Sequence, residues 1–172
     1  MKSTPEAPTR LPPFPEPRAV RFEDVAEVLR VVGRAIALGC RDHYDAAQRA
    51  AVFASYASVL FVEALGPYEA VVAELEGRIV AYAQLDAATS RLRALFVDAE
   101  CQGRGVGRAL LADVEARAAR RGCARLHGAM SLNAVAFYAR AGFRALGGEE
   151  RLMSASEGVH ISVVRMEKRL RA

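Results

Sequence analysis

The sequence predicts a mixed α/β chain of the α+β type, built on a mostly antiparallel sheet of six to seven strands with helices on both faces. Two observations carry this expectation. Three apolar runs, Ala70–Leu75, Ile79–Leu85 and Leu92–Val97, follow one another through short polar turns and read as an antiparallel meander. The third run leads through a glycine-rich loop and a long amphipathic pattern into another strand, Arg125–Met130. Such a strand–helix–strand crossover places its two strands parallel.

Taken in order, residues 1–18 hold six of the seven prolines, which forbid helix and ladder hydrogen bonds and favour an extended, polyproline-like tail. Two arrangements stay open for it: a disordered end, or an arm anchored by Leu11 and Phe14 across the domain or on a second copy, as in a homodimer. Residues 19–172 read as one domain, in a chain of 172 residues long enough to bury about 70% of its unfolded surface. Ala19–Phe22 reads as a first strand. Val25, Val28, Leu29, Val32 and Ile36 then recur at helical spacing, and Gly39 ends that helix. A second, alanine-rich helix is expected over about 45–64, stopped by Gly66-Pro67. After the meander, Val106, Leu110, Val114 and Ala118 form one buried stripe, with Gly122 as the stop. A short helix starts near Leu132, with Ser131 as its N-cap and Gly142 as its end, and Phe143–Leu146 and Val159–Met166 close the sheet.

Composition excludes several classes. The net charge of +4 arises from 24 basic and 20 acidic residues, and because only Lys2 and Lys168 are lysines the bias is towards arginine. The charges are dispersed, so they point to no nucleic-acid partner. Cys40, Cys101 and Cys123 are odd in number and widely spaced, which fits neither a disulfide framework nor a metal site. No apolar run is long enough to span a membrane and the N-terminus lacks the order of a signal peptide, so the expected location is cytoplasmic.

The stretch that carries chemistry is Cys101-Gln102-Gly103-Arg104-Gly105-Val106-Gly107-Arg108, between a strand and a helix. Alternate glycines remove Cβ atoms where the backbone must approach a ligand, and the helix presents unpaired N–H groups and the positive end of its dipole. That is a cradle for an anion, most naturally a pyrophosphate. A Rossmann fingerprint would require glycine at Arg108, and a Walker loop would require Lys-Ser/Thr; neither is present. Nor does a Mg²⁺-binding residue follow, which disfavours a nucleotide hydrolase.

Gln102-x-x-Gly105-x-Gly107 resembles the coenzyme A pyrophosphate loop of the GNAT superfamily of N-acetyltransferases. About 30 residues later, Ser131 to Phe143 resembles the second signature of that family, a helix with Tyr138 shortly before Gly142-Phe143. The resemblance covers about residues 19–169. It implies a GNAT-like fold, acetyl-coenzyme A as co-substrate, no metal, and transfer of acetyl to a primary amine by direct attack. It further implies that Gln102, Gly103, Arg104, Gly105, Val106, Gly107 and Arg108 hold the diphosphate. Leu95, Phe96 and Val97 would offer backbone groups to the pantetheine arm, with the Val97 N–H as oxyanion donor. Tyr138 would protonate the leaving thiolate, its alternative being a half-buried core tyrosine. Asn133 would bond the cofactor arm or serve only as a cap. Arg104 and Arg108 would face phosphate or simply solvent.

No general base is legible, because Leu92–Val97 contains no carboxylate; His43, Asp86, His127 and His160 are candidates elsewhere. Cys101 adjoins the cradle, but a covalent mechanism would need a His partner that the sequence does not place. In this architecture the region before Ala70 forms the acceptor wall, with Tyr44, Phe53, Tyr56 and Phe61 and few acids beyond Asp42, Asp45 and Glu63. Such a wall favours a small, partly apolar amine over a polycation. Branches that acetylate ribosomal N-termini space the Asn and Tyr of the second motif farther apart than Asn133 and Tyr138. A peptide acceptor and an acyl-coenzyme A-binding regulatory module without turnover are the alternatives.

Overall fold

The computed structural model describes residues 17–63, 66–153 and 158–170, with the side chains of 59–63 and 153 excepted. Residues 1–16 of the expected tail, Leu11 and Phe14 among them, lie outside these, as do the Phe61 and Glu63 side chains. Seven strands form one sheet in the order β1-β2-β3-β4-β5-β7-β6. They are β1 (Arg18–Ala19), β2 (Glu69–Leu75), β3 (Arg78–Asp86), β4 (Arg91–Val97), β5 (Arg125–Ser131), β6 (Arg144–Met153) and β7 (His160–Arg169). The helices are α1 (Val25–Gly39), α2 (Ala46–Glu63), α3 (Val106–Arg120) and α4 (Val135–Arg140). All neighbouring strands are antiparallel except β4 and β5.

Helices cover both faces. On one, Val28, Val32 and Ile36 of α1 pack on Val72, Ile79, Tyr82 and Ala94, with α2 beside them. On the other, Leu110, Val114 and Ala118 of α3 and Tyr138 of α4 pack on Ala81, Ala83, Leu85 and Leu92. The stripe read from α3 is therefore the buried one. The N-terminus of α2 is a reciprocal cap: the Gln48 N–H donates to Asp45 Oδ1 at 2.8 Å and the Asp45 N–H to Gln48 Oε1 at 3.1 Å.

Three elements differ from the expectation. The first strand is only Arg18–Ala19 and does not reach Phe22, which lies in a 3₁₀ turn and is exposed. The Asp24 carboxylate accepts the Arg21 N–H at 2.7 Å and is gripped by Arg18, which turns the chain out of the sheet. The strand β6 runs to Met153 rather than stopping at Leu146, because residues 146–148 form a bulge between the Ala145–Met166 and Glu149–Val164 pairs. Ser131 stands at the N-cap position without a side-chain bond, and the Leu132 N–H donates instead to the Tyr44 hydroxyl at 2.8 Å.

The junction of β4 and β5 positions the site. These parallel strands pair only at Arg91–His127, near the start of β4, and diverge towards their C-terminal ends. An opening at the C-terminal ends of parallel strands, beside a helix N-terminus, is where α/β sheets bind ligands.

Asp98 fixes the chain between β4 and the glycine loop. Its carboxylate caps the following 3₁₀ turn through the Glu100 N–H at 3.1 Å and pairs with Arg30 at 2.7 Å and Arg34 at 3.2 Å. Burial pushes its pKa up, but the Glu100 N–H and the two arginines outweigh that and hold it below the usual carboxylate range. A group with a depressed folded pKa adds stability above its unfolded pKa and loses it as the pH falls. Asp98→Ala is expected to cost about 2 kcal/mol at pH 7. Melting curves at neutral pH and near pH 3 check this: the gap between variant and wild type should narrow in acid.

Candidate active site

Two adjoining cavities open where β4 and β5 separate. The larger, about 710 Å³, lies along the glycine loop and is walled by Leu95, Phe96 and Val97, by Asn133 and by Phe137. Gly103 and Gly105 both take positive φ, 74° and 89°, and Gly105 is the residue that starts α3. The first hydrogen bond of that helix runs from the Ala109 N–H to the Gly105 carbonyl at 3.0 Å, so the N–H groups of Val106, Gly107 and Arg108 have no acceptor within it. A Cβ on Gly107 would stand 3.3 Å from Val97 Cγ2 and 3.5 Å from the Phe137 ring, so glycine there lets α3 close against β4 and α4. Arg104, Arg108 and Arg140 line the same cleft and make its field positive. The Val106 side chain instead points into the core, 1% exposed, leaving only its backbone for a ligand.

The edge of β4 is set by alternation. The Asp98 N–H donates to Val80 of β3 at 2.8 Å, so the polar backbone groups of Val97 face the opposite way, towards the opening. The Gln102 side chain accordingly donates to the Val97 carbonyl at 3.1 Å. Gln102 thus ties the loop to the strand, and the Val97 N–H is turned to the cleft. Asn133 lines the cleft with its Oδ1 accepting from Cys40 Sγ at 3.4 Å.

The smaller cavity, about 270 Å³, lies between α2, β4, β5 and β7. Tyr44, Tyr56 and Tyr138 line it, and it shares Cys40, Leu95, Phe96, Ser131 and Ala134 with the larger cleft. A group held along the glycine loop therefore meets one held in the smaller cavity at Leu95 and Phe96. Tyr138 is 5% exposed and is fixed edge-on between Phe137 and Phe143, with ring centroids 5.0 and 5.3 Å away. Burial, and then the nearby Tyr56, push its pKa well above that of an ordinary phenol.

A sequence profile described as an acetyltransferase (GNAT) domain matches residues 40–170. The chain belongs to the GNAT acetyltransferase family. A GCN5-related N-acetyltransferase from Rhodopseudomonas palustris superimposes with a TM-score of 0.81 at 27% identity, covering 91% of this chain and 98% of that one. PaiA N-acetyltransferase from Thermoplasma acidophilum, solved with coenzyme A, superimposes with a TM-score of 0.72 at 16% identity over 90% and 98%. YncA from Salmonella typhimurium, described as a putative acetyltransferase with its cofactor acetyl-CoA, gives 0.58 at 18% identity over 91% and 94%. A search of curated proteins found no match.

GNAT proteins use acetyl-coenzyme A, and the cradle built here fits its diphosphate: two glycines at positive φ, three helix N–H groups without intrahelical acceptors and three arginines. Among the described residues no group of His, Cys, Asp and Glu is arranged to hold a metal ion, and no helix is long and apolar enough to cross a membrane.

Several sequence candidates fall elsewhere. Neither cavity is lined by His43, Asp86, His127 or His160. The Asp86 carboxylate accepts from the Thr89 N–H and hydroxyl, and His127 Nε2 lies 2.9 Å from the Thr89 carbonyl. Cys101 is buried in the α3 core rather than at the cradle surface. Phe53 packs against Gly33 instead of the acceptor wall, while Asp45 caps α2 and Asp42 is exposed beside Arg41. Sequence reasoning missed Arg140 in the cleft and Arg49, Arg91 and Arg93 in the smaller cavity. Arg91 and Arg93, two apart on one strand, carried a signal; Arg49 carried none, since only the packing of α2 brings it in.

Proposed function

We propose that this chain transfers acetyl from acetyl-coenzyme A to a primary amine of a small molecule by direct attack. The observation that carries the reading is the shared wall of the two cavities at Leu95, Phe96, Cys40, Ser131 and Ala134. Bound acetyl-coenzyme A would supply an activated acyl thioester. The glycine loop and the start of α3 hold the diphosphate, with Gln102 keeping the loop against Val97. The Val97 N–H donates to the acyl oxygen as negative charge develops on it. As the N–C bond forms and the C–S bond breaks, Tyr138 donates its proton to the departing sulfur, the nitrogen releases one to water, and the Tyr138 phenolate is reprotonated from that water.

Among the described residues every titratable group in the smaller cavity apart from its arginines is held protonated, since burial raises the pKa of Cys40, Tyr44, Tyr56 and Tyr138. None is a base at neutral pH. The amine therefore arrives neutral or loses its proton through water. Activity should rise with pH as the neutral fraction of the amine grows, following the pKa of each amine rather than one enzyme group; pH profiles for two amines of different pKa check this.

A volume of about 270 Å³ suits a small molecule. An acetylation screen with amino acids, polyamines, aminoglycosides and short peptides at equal concentration tests the acceptor class. Turnover confined to peptides would overturn it.

A further inference from the structure

The smaller cavity has a one-sided charge. Among the described residues its ionic lining consists of Arg49 from α2 and Arg91 and Arg93 from β4, with no aspartate, glutamate or histidine beside them. Arg93 is held from two sides: its Nε donates to Gln84 Oε1 at 3.3 Å, and its guanidinium stacks on the Tyr68 ring at 4.3 Å. Arg49 donates through Nη1 to the Tyr44 carbonyl at 2.5 Å, which orients the guanidinium without neutralising it. Among the described residues neither Arg49 nor Arg91 has an ion-pair partner. The acid across the sheet from Arg91 is Asp86, and its carboxylate is turned into its own loop against Thr89.

Much of the rest of the wall is apolar, and two of its three tyrosine hydroxyls are already bonded. The Tyr44 hydroxyl donates to the Ser162 carbonyl at 2.6 Å and the Tyr56 hydroxyl to the Arg93 carbonyl at 3.1 Å. Unneutralised guanidinium groups lining one small, mostly apolar space disfavour an ammonium ion there. Their forked donors match a carboxylate or a tetrahedral oxyanion, which would gain charge-assisted hydrogen bonds. The cavity meets the glycine-loop cleft at Cys40, Leu95 and Phe96, with Tyr138 in its own wall.

We propose that the acceptor is an anionic amine: a small primary amine that also bears a carboxylate or phosphonate, seated with its anion at Arg49 and Arg91 and its nitrogen towards Leu95 and Tyr138. This rests on the acetyl-transfer reading above and adds the class of acceptor. The two arginines are specificity-determining residues. They lower the cost of bringing in the anion, and they select the neutral form of the amine by disfavouring a second positive charge.

The test compares acceptors that differ only in the anion. Leucine, phenylalanine and glutamate are each assayed beside the corresponding amide and decarboxylated amine, and aminoethylphosphonate beside ethanolamine, by thiol release from acetyl-coenzyme A. In a second arm N-acetylleucine and N-acetylphenylalanine, and their amides, are titrated calorimetrically into the full chain with coenzyme A present. For at least one pair the anionic member should have a kcat/KM at least 30-fold higher, and acids should bind more tightly than amides. In Arg91→Gln, and separately in Arg49→Gln, that ratio should collapse towards one; Arg91 is exposed, so its replacement leaves the core intact. Equal or better use of the uncharged partner in every pair overturns the proposal while leaving acetyl transfer standing. Acids that bind in an Arg91-dependent way, without thiol release from any amine, would refute acetyl transfer and sustain the anion site. Acids and amides binding alike, in a chain that releases no thiol, refutes both.

Discussion

Replacing Gly105 with valine is expected to weaken acetyl-coenzyme A binding by about 100-fold or more, through two effects that act together. The residue sits at φ 89° and ψ −5° as it opens α3. A β-branched side chain there is strained, and relief of the strain rotates the peptide that aims the following N–H groups at the cleft. Those N–H groups and the dipole behind them are what the cradle offers a diphosphate, so a small rotation is amplified into lost affinity. The helix itself should survive, because Leu110, Leu111, Val114 and Ala118 remain fully buried along it. Calorimetric titration of the variant, with circular dichroism to confirm that it folds, checks the expectation. Unchanged affinity would move the cofactor away from this loop.

Tyr138→Phe is expected to lower kcat by about 100-fold while cofactor affinity changes little. The ring contacts with Phe137 and Phe143 hold the side chain in place and persist in phenylalanine, so the substitution removes little besides the hydroxyl. Among the described residues nothing hydrogen-bonds that hydroxyl, and it belongs to the wall of the acceptor cavity. Its raised pKa has a consequence with a definite sign. A phenol pushed above its ordinary value stays protonated throughout the physiological range, so kcat should show no alkaline fall from loss of the Tyr138 proton up to about pH 10. Steady-state kinetics across pH, with several amines, checks both statements. Wild-type turnover in the variant would return Tyr138 to the core.

Much of this arrangement is legible in the sequence. The meander, the crossover and the α3 stripe are local patterns with a period of 2 or 3.6, and the glycine loop announces itself by spacing alone. What was not legible depends on partners distant in sequence. The β1 strand stops at Ala19 because Arg18 reaches both Asp24 and Glu74, contacts that no periodicity carries. The continuation of β6 past Gly147-Gly148 depends on β7 tolerating a bulge. The cap on Leu132 comes from Tyr44, 88 residues earlier. The acceptor cavity is the clearest case: its tyrosines were anticipated, but its charge was not, because Arg49 and the β4 arginines meet only when α2 lies over the separated strands. A base is not legible for a different reason: among the described residues no carboxylate or histidine lines the cavity.

The most direct test of the central claim is the stoichiometry of the reaction. Acetyl-coenzyme A is incubated with the wild-type chain and a mixed panel of small amines, while free thiol is measured by absorbance and acetylated amine by mass. The account predicts amine-dependent release of thiol, one for each acetyl group found on nitrogen, abolished in Gly105→Val and strongly slowed in Tyr138→Phe. Tight binding of acetyl-coenzyme A with no amine-dependent thiol release across the panel would contradict it and would make the chain a binding module.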